Sequence, residues 1–157
     1  AFMLKDIDNS SGIGTSVPIL DPERNIALYR ALTNAMENNM IRSAHDCSDG
    51  GLSVSLAESC FGFSGGADID VSEILLSDDE LDEWGALFGE SLGRIIVSVS
   101  PENATEFEER MEGHAVYKLG KTTSSGKVMI SAHGKTILKC DVASLKAAWK
   151  GTLDRSA

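Results

Sequence analysis

Apolar positions change their period several times along the chain, and each change marks an element. After a polar opening (Asp8-Asn9-Ser10-Ser11-Gly12-Ile13-Gly14), Leu28, Leu32, Ala35 and Met36 recur at helical spacing. Asp21-Pro22-Glu23 supplies that helix with an N-cap, a proline at the first helical position and an acid in the first turn; Asn38-Asn39 supplies its end. Met40 to Ala44 reads as a short extended segment running into Asp46-Cys47-Ser48-Asp49-Gly50-Gly51. Leu52, Leu56, Ala57 and Cys60 then form a second helical stripe. Gly62 to Gly66 breaks it, and Ala67-Asp68-Ile69-Asp70-Val71 alternates as a half-buried strand does.

Ser77-Asp78-Asp79-Glu80 fits a capping box opening a third helix, with Leu81, Trp84, Leu87 and Phe88 on its apolar face. Arg94 to Val99 is β-branched and largely apolar, the strongest strand signal in the chain. Ser100-Pro101 opens a fourth helix carrying Ala104, Phe107 and Met111 at helical spacing. Strands are expected at Ala115 to Leu119, Lys127 to Ser131 and Thr136 to Cys140, and a closing helix at 143–150 with Leu145 and Trp149 on one face, Trp149 lidding the core. The pattern predicts an α+β (mixed α/β) fold: a single layer of about five strands covered by helices, with a β-meander near the end. Residues 1–17 read as a lead-in loop and 18–157 as a single domain.

Charge and cysteine content narrow the function classes. The chain has 157 residues, long enough for one substantial core, and a net charge of −10. Nucleic acid is excluded as a partner, because its recognition needs clustered Lys and Arg. No apolar run reaches the roughly 20 residues that span a bilayer, and the first residues show no basic region followed by an apolar stretch, so neither a secretory signal nor a membrane partner is expected. Cys47, Cys60 and Cys140 match neither a disulfide framework nor paired zinc ligands, which points to a reduced, cytoplasmic setting.

The chemistry-bearing segment is Asp46 to Gly51. It lies where an extended segment turns into a helix; its glycines permit positive φ, and the helix behind it offers free N–H groups and the positive end of its dipole. Such a junction holds a phosphate on backbone amides, while Asp46 and Asp49 are placed for a metal ion or for ligand hydroxyls. On composition alone, a ligand-free Asx or Ser cap with a Gly turn is the commoner use of such a run. It is no EF-hand loop, since Gly50 stands at a ligand position and the glutamate at position twelve is missing.

The stretch Ser43-Ala44-His45-Asp46-Cys47-Ser48-Asp49-Gly50-Gly51-Leu52, followed by Leu56-Ala57-Glu58, resembles the S-A-H-D-x-S-D-G-G-L…A-L-A-E signature of the phosphoribosylformylglycinamidine synthase II (large subunit) family. Leu87-Phe88-Gly89-Glu90-Ser91-Leu92-Gly93-Arg94 resembles that family's L-F-x-E-x-x-x-R segment. The likeness runs from residue 18 to the C-terminus, and the chain resembles the last of the family's four domains, of the aminoimidazole ribonucleotide synthetase C-terminal type. It implies an ATP-dependent carbon–nitrogen ligase of purine biosynthesis. Formylglycinamide ribonucleotide, glutamine-derived ammonia and ATP become formylglycinamidine ribonucleotide, ADP and phosphate through an iminophosphate. ATP and magnesium are implied for the full-length enzyme and none for this domain alone. Implied partners are the upstream domains of the same polypeptide, a glutamine amidotransferase subunit, a small bridging subunit and the small-molecule ribonucleotide.

The family's catalytic lysines, histidine and magnesium-binding acids have no counterparts here, so no catalytic residue and no metal ligand is expected. The cleft candidates are Asp46, Ser48, Asp49, Gly50, Gly51, Glu90 and Ser91. Leu92 replaces the Gln of a Glu-Ser-Gln run used at the substrate in the family's first half, which favours a non-turnover nucleotide site or a structural face. Cys47 replaces an apolar β-branched residue and reads as packing. His45 reads as a residue ordering the turn, Asp68 and Asp70 as an exposed sheet face, and Lys118, Lys121 and Lys127 as flanks of a polar hairpin. Two other readings stay open: a domain of another superfamily member (aminoimidazole ribonucleotide synthetase, selenophosphate synthetase or a hydrogenase-maturation dehydratase), or an acidic interaction module without a ligand.

Overall fold

The computed structural model describes residues 21–63, 65–77 and 81–151. The lead-in at 1–17 and the Asp78-Asp79-Glu80 part of the expected capping box lie outside them. Helix α1 (Pro22–Glu37) starts where Asp21 accepts the Arg24 amide at 3.0 Å and stops at Asn38. Asn39 follows with φ 57°, a left-handed turn that asparagine tolerates. The chain then enters β1 (Ile41–Asp46), α2 (Gly51–Cys60), β2 (Gly66–Asp70), α3 (Ser72–Leu76) and α4 (Glu83–Phe88). Strand β3 (Ile95–Val99) leads through a 3-10 turn into α5 (Ala104–Arg110), then β4 (Gly120–Thr123), β5 (Lys127–Ala132), β6 (Lys135–Asp141) and α6 (Val142–Gly151).

The class is the expected mixed α/β, but the strands divide between two sheets rather than forming one layer. β1 pairs antiparallel with β3, with Ala44 opposite Val97, and the other four run in the order β4-β2-β5-β6. β2 is antiparallel to β4 and parallel to β5. The expected meander is therefore only partly formed: β5 and β6 make a hairpin, while β2 threads between β4 and β5. Gly66 makes the threading possible, since a Cβ there would lie 2.0 Å from the Lys127 carbonyl oxygen. His133 and Gly134, both at positive φ, turn β5 into β6 between the paired Ala132 and Lys135.

Two apolar clusters hold the elements. Leu52, Leu56 and Cys60 of α2 pack with Ile69, Val71, Leu87, Val128 and Ile130, and α2 touches β1, β3, β2, α4 and α6. Its small residues (Gly51, Ser53, Ser55, Ala57) let neighbours approach on most sides, and seven of its ten residues are buried. The second cluster joins α1 to α5 through Ala35, Met40, Phe107 and Met111, with Ile41, Val97 and Val99 against it.

Three further expectations are corrected. Ala115 to Leu119 is irregular and β4 begins at Gly120, because the ladder with β2 runs from Ile69–Gly120 to Gly66–Thr123. Ser77 ends α3, its hydroxyl donating to the Ile74 carbonyl at 2.6 Å. The next helix is capped instead by Asp82, which accepts the Gly85 amide at 2.6 Å. Trp149 is no core lid: it is 54% exposed, tilted against Phe61 at 5.8 Å between ring centroids.

Candidate functional site

The Asp46–Gly51 turn is built from three supports. Strand β1 delivers Asp46, whose main-chain carbonyl accepts the Ser55 hydroxyl at 2.9 Å and meets His45 Nδ1 at 2.7 Å. The next amide, Cys47 N–H, donates to the Arg94 carbonyl at 2.9 Å. Gly50 (φ 79°) and Gly51 (φ 63°) then swing the chain into α2 through the left-handed region, where a side chain is strained. Gly51 also lies flat against the end of α4: a Cβ would fall 2.7 Å from Gly89 O and 2.9 Å from Leu87 O.

The candidates are distributed unevenly around this turn. Ser48 donates its hydroxyl to Asp46 Oδ2, and the Gly51 amide closes the turn on Ser48 O at 3.0 Å. Glu90 comes from the far side of α4, and its Oε1 accepts the Gly50 amide at 2.9 Å. Asp46, Ser48, Gly50, Gly51 and Glu90 therefore share one constellation. Asp49 and Ser91 are exposed neighbours in sequence, and the hydrogen bonds that knit the turn pass them by.

Arg94 is the residue that sequence reasoning missed. Its guanidinium donates to Gly89 O at 2.8 Å and Ala86 O at 2.7 Å, closing the carbonyl end of α4, while its own carbonyl holds Cys47. One residue thus fixes the turn and the helix end that backs it. The signal was present as the Glu90-x-x-x-Arg94 spacing, which carried no geometry of its own.

The ionisable groups at the turn are shifted by their immediate neighbours. The Ser48 hydroxyl and a backbone hydrogen bond hold the Asp46 carboxyl below the usual carboxylate range, with His45 adding a smaller pull. Burial pushes the Cys47 thiol up, against a weaker opposing pull from Arg94, so it stays a neutral packing group at neutral pH. Among the described residues no three His, Cys, Asp or Glu side chains converge as a metal ligand set. No helix among them is long and apolar enough to cross a membrane. The turn can offer backbone amides to an anion and carboxylate or hydroxyl oxygens to ligand hydroxyls.

A glycine turn leading from a strand into a buried helix, backed by a second helix end within a mixed α/β domain, defines the class. Residues 1–132 match the family described as "AIR synthase related protein, C-terminal domain", and the chain belongs to that family. Over 122 residues it is 43% identical to phosphoribosylformylglycinamidine synthase subunit PurL of Lactobacillus helveticus, covering 78% of this chain and 15% of that protein. The PurL subunit of Carboxydothermus hydrogenoformans is 34% identical over 139 residues, 87% of this chain and 18% of that protein. The chain thus spans less than a fifth of the length of these curated relatives. Among solved structures, T. maritima PurL complexed with FGAR superposes with a TM-score of 0.75 at 20% identity, over 86% of this chain and 23% of that one. T. maritima PurL complexed with ATP gives 0.67 at 20% identity over 75% of this chain and 21% of that one, and both likenesses speak to the fold.

Proposed function

We propose that this chain, taken as a domain at 18–157 behind a lead-in at 1–17, is the C-terminal domain of a phosphoribosylformylglycinamidine synthase. In that ATP-dependent ligase its Asp46–Gly51 turn lines one wall of a phosphate-binding cleft that neighbouring domains complete. The observation that carries the reading is the Glu90 carboxylate on the Gly50 amide. An anionic oxygen already sits where the turn and the start of α2 concentrate positive potential, so the turn donates to anions. The 43% identity to a PurL subunit and the Ala44-His45-Asp46…Ser48-Asp49-Gly50-Gly51 run support the parent enzyme.

Phosphate oxygens of ATP or of the ribonucleotide fit a glycine turn of this kind once Glu90 yields or shares its amide. Among the described residues no three His, Cys, Asp or Glu side chains converge, and in this reading the magnesium of the full-length enzyme is held by its other domains. In this reading the domain shapes the cleft, and the transfer itself is carried out by the other domains of the full-length enzyme. A cytoplasmic setting and assembly with amidotransferase and small bridging subunits belong to the same reading; a solved relative is described as the structure of PurLQS from Thermotoga maritima.

The test is complementation of a purine auxotroph by a full-length synthase carrying Asp46→Ala with Asp49→Ala in this domain. Slow growth, with a raised KM for a phosphate-bearing substrate in the purified enzyme, is the expected outcome. Wild-type growth and kinetics would remove the turn from the cleft.

A further inference from the structure

A line of polar contacts runs from the C-terminal helix to the turn through residues that are not themselves ligand candidates. Trp149 Nε1 on α6 donates to Glu58 Oε1 at 2.9 Å. The other oxygen, Glu58 Oε2, stands 3.2 Å from His45 Nε2. His45 Nδ1 in turn meets the Asp46 carbonyl at 2.7 Å, beside the Ser55 hydroxyl at 2.9 Å on the same oxygen.

The geometry constrains one peptide unit. A carbonyl oxygen has two lone pairs, and here both are engaged. The amide of that peptide, Cys47 N–H, is fixed on Arg94 O at 2.9 Å. The Asp46–Cys47 plane, which sets the direction in which the turn leaves β1, therefore has little freedom to rotate. The two His45 nitrogens face oxygens on opposite sides, Nε2 the Glu58 carboxyl and Nδ1 the Asp46 carbonyl, so the ring bridges the two. Glu58 is the one charged residue of α2, and its side chain is 27% exposed. Pinning α6 does not require it, since Lys146 Nζ already reaches Phe61 O at 2.7 Å and the Trp149 ring lies on Phe61.

We propose that Glu58 is a positioning residue for the Asp46–Gly51 turn: held by Trp149, it orients His45, and His45 fixes the Asp46–Cys47 peptide. The inference rests on the reading of the turn as a cleft wall, and the experiment separates the two. In the full-length synthase, Glu58→Ala, Trp149→Phe and Asp46→Ala are compared by hydrogen exchange and by steady-state kinetics. Trp149→Phe keeps an aromatic ring against Phe61 and deletes the N–H.

Glu58→Ala is expected to speed exchange in peptides covering 46–51 by about tenfold, and Trp149→Phe by about threefold, the scale of one weakened polar contact. Exchange in α6 is unchanged in Trp149→Phe, and KM for a phosphate-bearing substrate rises in Glu58→Ala with kcat held within about twofold. The proposal is overturned if exchange at 46–51 does not move in Glu58→Ala, or if Trp149→Phe loosens α6 as much as the turn. It is also overturned if Asp46→Ala impairs KM while Glu58→Ala leaves it unchanged. Faster exchange at the turn together with wild-type kinetics in Asp46→Ala would uphold the positioning contact and sink the cleft-wall reading alone.

Discussion

Glu90 and Gly50 stand forty residues apart, and Glu90 Oε1 accepts the Gly50 amide hydrogen at 2.9 Å. The bond joins the segment after α4 to the turn before α2, two stretches that also meet through the Cys47 amide on the Arg94 carbonyl and through backbone packing at Gly51. A carboxylate in this place satisfies an amide at a helix start, and on the proposed reading of the turn it competes with an anionic ligand for that amide.

Glu90→Ala therefore has two opposite consequences. The turn loses a charge-assisted hydrogen bond at an exposed site, costing about 0.5–1.5 kcal/mol in urea unfolding. The freed amide becomes available, so phosphate-bearing ligands should bind the full-length synthase as well as or better than before. Glu90→Gln keeps an acceptor and should fall between. Weaker ligand binding in Glu90→Ala, measured by calorimetry, would make Glu90 part of the ligand's own shell rather than its competitor.

The contrast between local and distant features explains what the sequence disclosed. Asp21-Pro22, Asn38-Asn39 and the glycines at 50–51 carry their geometry within a few residues, so α1, β1 and α2 were legible from cap and turn chemistry. β4 was not. Val116-Tyr117-Lys118-Leu119 alternates like a strand, yet the ladder is decided by which residues β2 presents, and that starts at Gly120. Helix α3 is too short to show a period, and its start depends on Asp70 accepting the Ser72 amide at 2.8 Å. At the site, the turn could be read directly. The Glu90 and Arg94 contacts could not, because each is a tertiary hydrogen bond to main chain and leaves no periodic trace.

Arg94 should be the costliest single truncation around the turn. Its two main-chain acceptors, Gly89 O and Ala86 O, are the closing carbonyls of α4, and both contacts are part-buried. Arg94→Ala leaves them without the guanidinium and is expected to lower unfolding free energy by about 2–3 kcal/mol. Arg94→Lys should recover less than half of that, because one ammonium cannot span two carbonyls as a planar fork does. A Lys variant with wild-type stability would show that charge, rather than the fork, closes the helix.

Cys47 supplies a pH prediction whose sign follows from its burial. The folded thiol is pushed above its ordinary value of 9.0. Its contribution to stability is then complete below that value and is lost as pH rises past it, since the unfolded chain ionises first. Cys60, also raised by burial, adds in the same direction. Unfolding free energy should fall as pH rises past the ordinary thiol value of 9.0 in the parent chain, and less steeply in Cys47→Val with Cys60→Ala. Thiol reagents at pH 7.5 should leave Cys47 and Cys60 unmodified until denaturant is added. Rapid labelling of Cys47 in the folded protein would contradict the burial argument.

The two glycines of the turn should differ in what replaces them. At Gly50 an added Cβ meets the Val54 side chain at 2.3 Å, an obstacle that a small shift of that side chain reduces. At Gly51 it meets main chain, Gly89 O at 2.7 Å and the Phe88 carbonyl carbon at 2.8 Å, and those atoms are fixed by Arg94. Both positions have positive φ, which costs an alanine about 1–2 kcal/mol before any clash. Gly50→Ala is thus expected to lose about 1–3 kcal/mol, and Gly50→Asn less, because asparagine tolerates the left-handed region. Gly51→Ala should lose more than about 3 kcal/mol, and Asn should not rescue it, since relief there requires α2 and α4 to separate. Equal losses at the two positions would mean that backbone strain alone sets the cost. A larger loss at Gly51 that Asn leaves uncorrected would identify the α2–α4 approach as what glycine serves there.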